Sequence, residues 1–329
     1  MSRMFPRISR SRALQGAAAG FVAFGLLLWW LLPLGEEPPG GTITFSTGSR
    51  GGVYEEYGKQ LSDEFAKDMP DLKVDLETSA GSQDNVARVA SGEADFAIAA
   101  ADAVETYALD HPAEAARLRG VARLYDDYVQ LIVPPDSDIR SVADLKGKRV
   151  AVGLPKSGVR LIADRVLAAA GIDPDKDITA LPYGINDASR LGRTFDAFFW
   201  SGGLPTRGLQ TLAESESFKF VPIGSNLISK LHTQGAAMRY YRPTNIPEST
   251  YDVQEGYSVP TIAVSNLLIT RKDLDPRLTE WLTRTVLRSR DKIGAEVHSA
   301  QLVDLRTAIY TSPLQLHDGA RRYYRSVKP

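Results

Sequence analysis

The chain has 329 residues, with 39 Lys+Arg against 40 Asp+Glu, 43% hydrophobic residues and no cysteine. At about 150 residues per domain the length suggests two domains, and a charged fraction of 24% is that of a globular chain rather than a fibrous or disordered one. The near-zero net charge gives no support for nucleic-acid binding, and the lack of cysteine excludes disulfides, thiol nucleophiles, Cys-ligated metals and a lipidated cysteine anchor.

The charge is unevenly placed. Arg3, Arg7, Arg10 and Arg12 stand in an N-terminus without acids, which leaves 35 basic against 40 acidic residues beyond it, a net of −5. Ala13 to Gly35 then runs 23 residues without a charge, with Trp29 and Trp30 near its far end. A helix needs about 20 such residues to cross the hydrocarbon layer, indoles favour the interface, and the arginines would stay in the cytoplasm. The expectation is a basic cytoplasmic segment over 1–12, a single-pass transmembrane signal anchor over 13–35 and a linker over 36–41, with the remainder outside the cell membrane. The alternative is a signal peptide, cleaved to give a secreted form; Leu32 to Gly35 is a poor cleavage site.

Beyond the linker, strand and helix signals alternate. A β-branched run, Thr42–Thr47, stops at Gly48, and a helical pattern follows from Val53 to about Lys67. Leu72–Thr78 reads as a strand, Ser82–Ser91 as a helix, Phe96–Ala100 as a buried strand and Tyr128–Pro134 as another. The pattern restarts with a capping box at Ser141–Asp144, a strand at Arg149–Gly153 and a helix from Ser157 to Ala170 carrying Val159, Ile162, Val166 and Leu167 on one face. Asp196–Ser201 reads as a strand, Pro205–Ala213 as its helix and Thr261–Thr270 as a late strand, and the chain from Pro276 onward reads as mostly helical. Strands separated by helices imply parallel sheet with right-handed crossovers.

Four loops follow predicted strands, where ligands sit in open α/β sheets. Thr47–Tyr54 (TGSRGGVY) offers glycines, free backbone N–H groups and a helix dipole to an anion, or is a plain Gly-rich turn. Gly153–Arg160 (GLPKSGVR) has P-loop-like glycine spacing, but Val159-Arg160 replaces the Lys-Ser/Thr pair that a nucleotide needs. Ser157 at a helix N-cap with Arg160 nearby suits a carboxylate, or is simple capping with a solvated arginine. Thr78–Ser82 with Asn85, Ala100–Asp102, and Trp200–Pro205 (WSGGLP) are weaker signals of the same kind. No catalytic constellation is present: His111, His232, His298 and His317 lack zinc spacing, there is no G-x-S-x-G elbow, and the pairs Glu55-Glu56 and Asp126-Asp127 read as solvated surface. Neither a metal nor a cofactor is expected, and the chain does not read as an enzyme.

The ordered set TGSRGGVY, TSAGSQDNVARVASGEADFAIAAAD, IRSVADLKGKRVAVGLPKSGVR, DAFFWSGGLP and VPTIAVSNLLITR, spanning about Thr42 to Arg271, resembles the TAXI family, the extracytoplasmic solute receptors of one branch of TRAP transporters. The resemblance implies a type II periplasmic-binding-protein fold, with two α/β lobes closing around a cleft, and an organic anion, a dicarboxylate or glutamate-like carboxylate, handed to membrane permease subunits driven by an ion gradient. The lobes would be 42–134 plus 255–329, and 135–254. The family's binding loops map onto Ser49, Gly51, Gly52, Val53 and Tyr54; onto Gly81, Ser82 and Asn85; onto Asp102; onto Gly153, Pro155, Ser157 and Gly158; and onto Gly202, Gly203 and Pro205. Arg50, Glu55-Glu56, Ala100-Ala101 and Val159 depart from the family's pattern. Arg50 or Arg160 is expected to supply charge, and Trp200 and Tyr54 to shape the apolar side. A receptor for an ATP-driven importer and a membrane-tethered ligand sensor are the alternative roles.

Overall fold

The computed structural model describes residues 20–24, 37–253 and 256–327. Residues 20–24 are helical, and no described helix is long and apolar enough to cross a membrane. The basic segment 1–12 and most of the expected anchor over 13–35 lie outside the described residues. Residues 39–329 form one unit.

The first elements follow local pattern closely. Strand β1 (Gly41–Ser46) leads into helix α1 (Val53–Asp68), whose Tyr57, Leu61 and Phe65 recur every fourth residue and are buried. Full burial of such side chains contributes about 1.5–3 kcal/mol each. Glu55 lies in the first turn and accepts a hydrogen bond from the Gly51 N–H at 2.8 Å, where a carboxylate meets the positive end of the helix dipole. Strand β2 (Leu72–Glu77), helix α2 (Ser82–Ser91), strand β3 (Phe96–Ala100) and helix α3 (Ala101–Asp110) continue the alternation. A short helix, α4 (Pro112–Ala115), precedes the long strand β4 (Leu118–Val133).

The restart is equally legible. Ser141 makes its capping box with Asp144 ahead of a 3-10 turn, and β5 (Arg149–Ala151) leads to α5 (Gly158–Ala169), whose N-cap Ser157 accepts from the Arg160 N–H. Val159, Ile162, Val166 and Leu167 are all buried, as their spacing predicts. Then come β6 (Thr179–Leu181), β7 (Ala197–Gly202), α6 (Arg207–Ser215), β8 (Lys219–Phe220), α7 (Ser225–His232), β9 (Arg242–Ile246) and β10 (Val259–Arg271). The end of the chain is mostly helical, with α8 (Pro276–Arg288) capped by Asp275, α9 (Arg290–Glu296), α10 (Leu305–Ala308) and α11 (Asp318–Val327).

These strands form one mixed sheet in the order β2-β1-β3-β10-β4-β7-β5-β6, with β8 on β4 and β9 on β10. Two parallel triplets, β2-β1-β3 and β7-β5-β6, flank an antiparallel centre made by β10 and β4. The strand predicted at Tyr128–Pro134 is thus the second half of a 16-residue strand. Its first half escapes a periodicity argument because Arg123 and Asp126-Asp127 interrupt the apolar run.

That interruption separates two cores. On β4, Val121, Ala122, Leu124 and Tyr125 pack with Ile43, Phe45, Tyr57 and the C-terminal helices, whereas Val129, Leu131, Ile132 and Val133 pack with Val150, Ile162, Phe198 and Trp200. On β10 the change falls between Val264 and Leu268. The residues between, Asp126-Asp127 and Ser265-Asn266, are polar and paired across the ladder, Ser265 opposite Asp126 and Val264 opposite Asp127. From there to the Leu267–Arg123 pair β4 spends one residue more than β10, a bulge of the kind that re-aims side chains beside functional sites.

Candidate functional site

At this polar waist the two parallel triplets face each other across a cavity of about 60 Å³. The three loops that follow β1, β2 and β5 deliver the N-termini of α1, α2 and α5 to it, through Gly52-Val53-Tyr54, Gly81-Ser82 and Ser157-Gly158-Val159. Trp200, Ser201 and Gly202 at the end of β7 and Asp127 on β4 complete the wall. Helices α2 and α5 meet almost end to end: a Cβ on Gly158 would come within 2.9 Å of the Ser82 hydroxyl, and one on Gly81 within 3.5 Å of the Gly158 nitrogen. Gly81 has φ +125°, a conformation that L side chains rarely adopt, so the loop needs glycine there. The first N–H groups of a helix have no partner within it, and three converging positive helix ends raise the local positive potential.

Contacts between the two sides hold the cavity shut. The Gln83 amide donates to the Ser157 carbonyl at 2.7 Å, the Asp84 N–H to the Lys156 carbonyl at 3.2 Å, and the Asn186 amide to the Arg50 carbonyl at 2.9 Å. Deeper in, Arg165 on α5 pairs with Asp102 on α3 at 3.0 Å, and the Tyr241 hydroxyl donates to the same carboxylate at 2.6 Å. Burial raises the Asp102 pKa despite the Arg165 charge beside it. Arg239 pairs with Glu105 at 2.9 Å further along the same face.

Of the residues that the sequence singles out, Ser49, Gly52, Val53, Tyr54, Gly81, Ser82, Ser157, Gly158, Trp200 and Gly202 line the cavity. The others lie elsewhere, each for a visible reason. Arg160 points along its own helix to Asp164, with contacts of 2.8 and 2.9 Å, and Arg50 is exposed. Neither guanidinium reaches the cavity, so the expectation that one of them supplies charge there is not met. Asn85 is fully buried and ties β1 to β3, donating to the carbonyls of Thr47 and Ile98 and accepting from the Ser46 hydroxyl. Asp102 is taken up by Arg165 and Tyr241. Pro155 is exposed, and Gly203 packs against Ser299 and Tyr125, which leave no room for a Cβ.

The residue that sequence reasoning missed is Asp127. Read as solvated surface, it is 4% exposed and lines the cavity, whereas its neighbour Asp126 is a surface carboxylate held by Arg123, Arg242 and Ser265. Burial pushes the Asp127 pKa up to about 7, and the negative charges of Asp126 and Asp102 add to the rise, while the polar side chains of Asn266 and Tyr54 offset part of it. Burial also raises the Asp126 pKa, but its arginines outweigh this and the net shift is downward. The Asp127 Oδ1 atom, the Ser201 hydroxyl and the Asn266 amide nitrogen have no hydrogen-bond partner in the protein. Tyr54 reaches across the floor, its hydroxyl donating to Asn266 Oδ1 and lying 3.0 Å from the Ser82 hydroxyl. The available signal was two adjacent acids inside an otherwise apolar strand, which alternation would have put on opposite faces.

Among the described residues no Lys, Arg or His lines the cavity, and no three His, Asp or Glu side chains gather as a metal ion would need. What the arrangement can do is bind: it offers backbone N–H groups at three helix ends, one carboxyl, a few hydroxyls and an apolar wall of Val53, Leu154, Val159, Ile162 and Trp200.

The sequence matches the NMT1-like family over residues 45–327. Among solved structures, PhnD1 from Prochlorococcus marinus (MIT 9301), in complex with methylphosphonate, aligns over 80% of this chain and 90% of its own with a TM-score of 0.52 at 12% identity. A protein from Bordetella bronchiseptica RB50 aligns over 88% and 90% with a TM-score of 0.51 at 17% identity. A third, described as a periplasmic transporter, aligns over 79% and 95% with a TM-score of 0.50 at 13% identity. At these identities the likeness is one of fold, the α/β fold of periplasmic binding proteins.

Proposed function

The chain belongs to the NMT1-like family, and on that premise we propose that it is an extracytoplasmic receptor that captures a small carboxylate and delivers it to a transporter. The observation that carries this reading is the cavity where the N-termini of α1, α2 and α5 converge from both sides of the molecule. Converging N–H groups and dipoles bind an anion without a cationic side chain. The two sides of the molecule open and close about the waist of β4 and β10, where the cores change over, and ligand binding favours the closed arrangement. The resemblance to TAXI receptors points to permease subunits of the TRAP type as the partner, with the 13–35 segment holding the receptor at the membrane.

A thermal-shift panel on the detergent-solubilised full chain tests the reading. At least one small carboxylate raises the melting temperature in a concentration-dependent way, and neutral sugars do not. A shift with a sugar or an inorganic cation and none with any carboxylate refutes it.

A further inference from the structure

The binding reading leaves Asp127 unexplained, because a cleft built for an anion has no use for a buried carboxyl. The side chain is 4% exposed, lines the cavity, and keeps Oδ1 without a hydrogen-bond partner. The Ser201 hydroxyl on the same wall is also unpartnered. A buried acceptor of this kind costs free energy unless a ligand completes it. The titratable groups around it are Tyr54, Tyr125, Asp126 and Asp102, none of which brings positive charge.

We propose that Asp127 is the specificity determinant of this cavity, its carboxylate accepting from a primary ammonium on the ligand, so that the site takes a small zwitterionic amino acid in preference to a dicarboxylate. The inference rests on the reading above that the helix ends hold a carboxylate. An ammonium brings three donors and a compensating charge, and the Asp127 carboxyl lines the cavity to receive it. A second carboxylate would instead enter a cavity that already holds Asp127 and no Lys, Arg or His, and like charges at contact distance disfavour each other. Each helix end carries only about half a positive charge, enough to hold one ligand carboxylate and too little to offset two together with Asp127. The methyl group of alanine, the simplest such ligand with a side chain, suits the Trp200–Val159 wall.

Calorimetry on the full chain with L-alanine, propionate and malonate tests this. In the wild type alanine binds about tenfold to a hundredfold more tightly than propionate, the scale of a charged hydrogen bond to a buried partner. In Asp127→Asn that ratio falls to within about threefold. Propionate or malonate binding as tightly as alanine in the wild type, or a ratio that survives in Asp127→Asn, overturns the inference while the carboxylate reading stands. If none of the three binds, the inference fails, and the carboxylate reading is decided by the wider thermal-shift panel. A second measurement needs no variant: at pH 7, in two buffers of different ionisation enthalpy, alanine binding releases a fraction of a proton as Asp127 ionises against the ammonium. Proton uptake on alanine binding overturns the assignment.

Discussion

The buried carboxyl has a consequence for stability that does not involve the ligand. In the unfolded chain an aspartate ionises near 3.8, whereas in the fold burial holds Asp127 protonated up to about 7. Between these values the folded state keeps a proton that the unfolded state has lost, so stability falls as pH rises through this window and levels off above it. At 1.36 kcal/mol for each pH unit, the interval of about three units corresponds to roughly 4 kcal/mol as an upper bound. Asp127→Asn removes the ionisation and keeps the shape. The ligand-free variant is therefore more stable than the wild type by up to about 4 kcal/mol at pH 8, and the gain shrinks to near zero by pH 4. At about 2 °C per kcal/mol for a chain of this size, the melting temperature rises by up to about 8 °C. Circular-dichroism melts of both proteins at half-unit steps from pH 4 to pH 8.5 give the answer. A pH-independent difference, or a variant less stable than the wild type at pH 8, refutes the placement of Asp127 in a desolvated site.

Four other substitutions test the geometry. Arg50→Ala and Arg160→Ala change affinity for the best carboxylate less than about threefold by calorimetry, since an exposed arginine and one paired with Asp164 contribute little at a distance; a tenfold loss in either would put that guanidinium in the site. Asp102→Ala leaves Arg165, itself only 12% exposed, without its counter-charge and lowers stability by about 3–5 kcal/mol. An unchanged urea midpoint at equal slope contradicts the buried pair. Gly158→Ala brings a methyl to 2.9 Å from the Ser82 hydroxyl and so parts the ends of α2 and α5. Alanine is no worse than glycine in a helix, so ligand affinity falls at least tenfold while the melting temperature of the unliganded chain changes little; intact affinity shows that the two helix ends need not touch.

The strands and helices were mostly legible because their signals are local. Ser157 caps α5 whatever else the chain does, the fourfold spacing of Tyr57, Leu61 and Phe65 needs only the helix itself, and glycines after β1, β2 and β5 mark the turns where ligand loops lie. Ten of the sixteen candidate residues line one cavity, since those loops all end strands of one sheet. Arg160 and Asn85 were misplaced for a common reason: a motif says that a side chain is near a helix end, and not which neighbour it prefers. Asp164, one turn along α5, claims the first, and the carbonyls of Thr47 and Ile98 claim the second.

By itself, then, the sequence determined the α/β alternation and the glycine loops, both of them consequences of contacts among residues a few positions apart. The tertiary structure alone decided that Asp126 meets Arg123, Arg242 and Ser265 while Asp127 lines the cavity. That difference arises where β4 and β10 pair across more than a hundred residues with a bulge in the ladder, and a carboxyl's burial depends on what packs over it, which no local pattern encodes. The character of the site follows from the same pairing, which sets one buried acid and no cation among the ends of three helices.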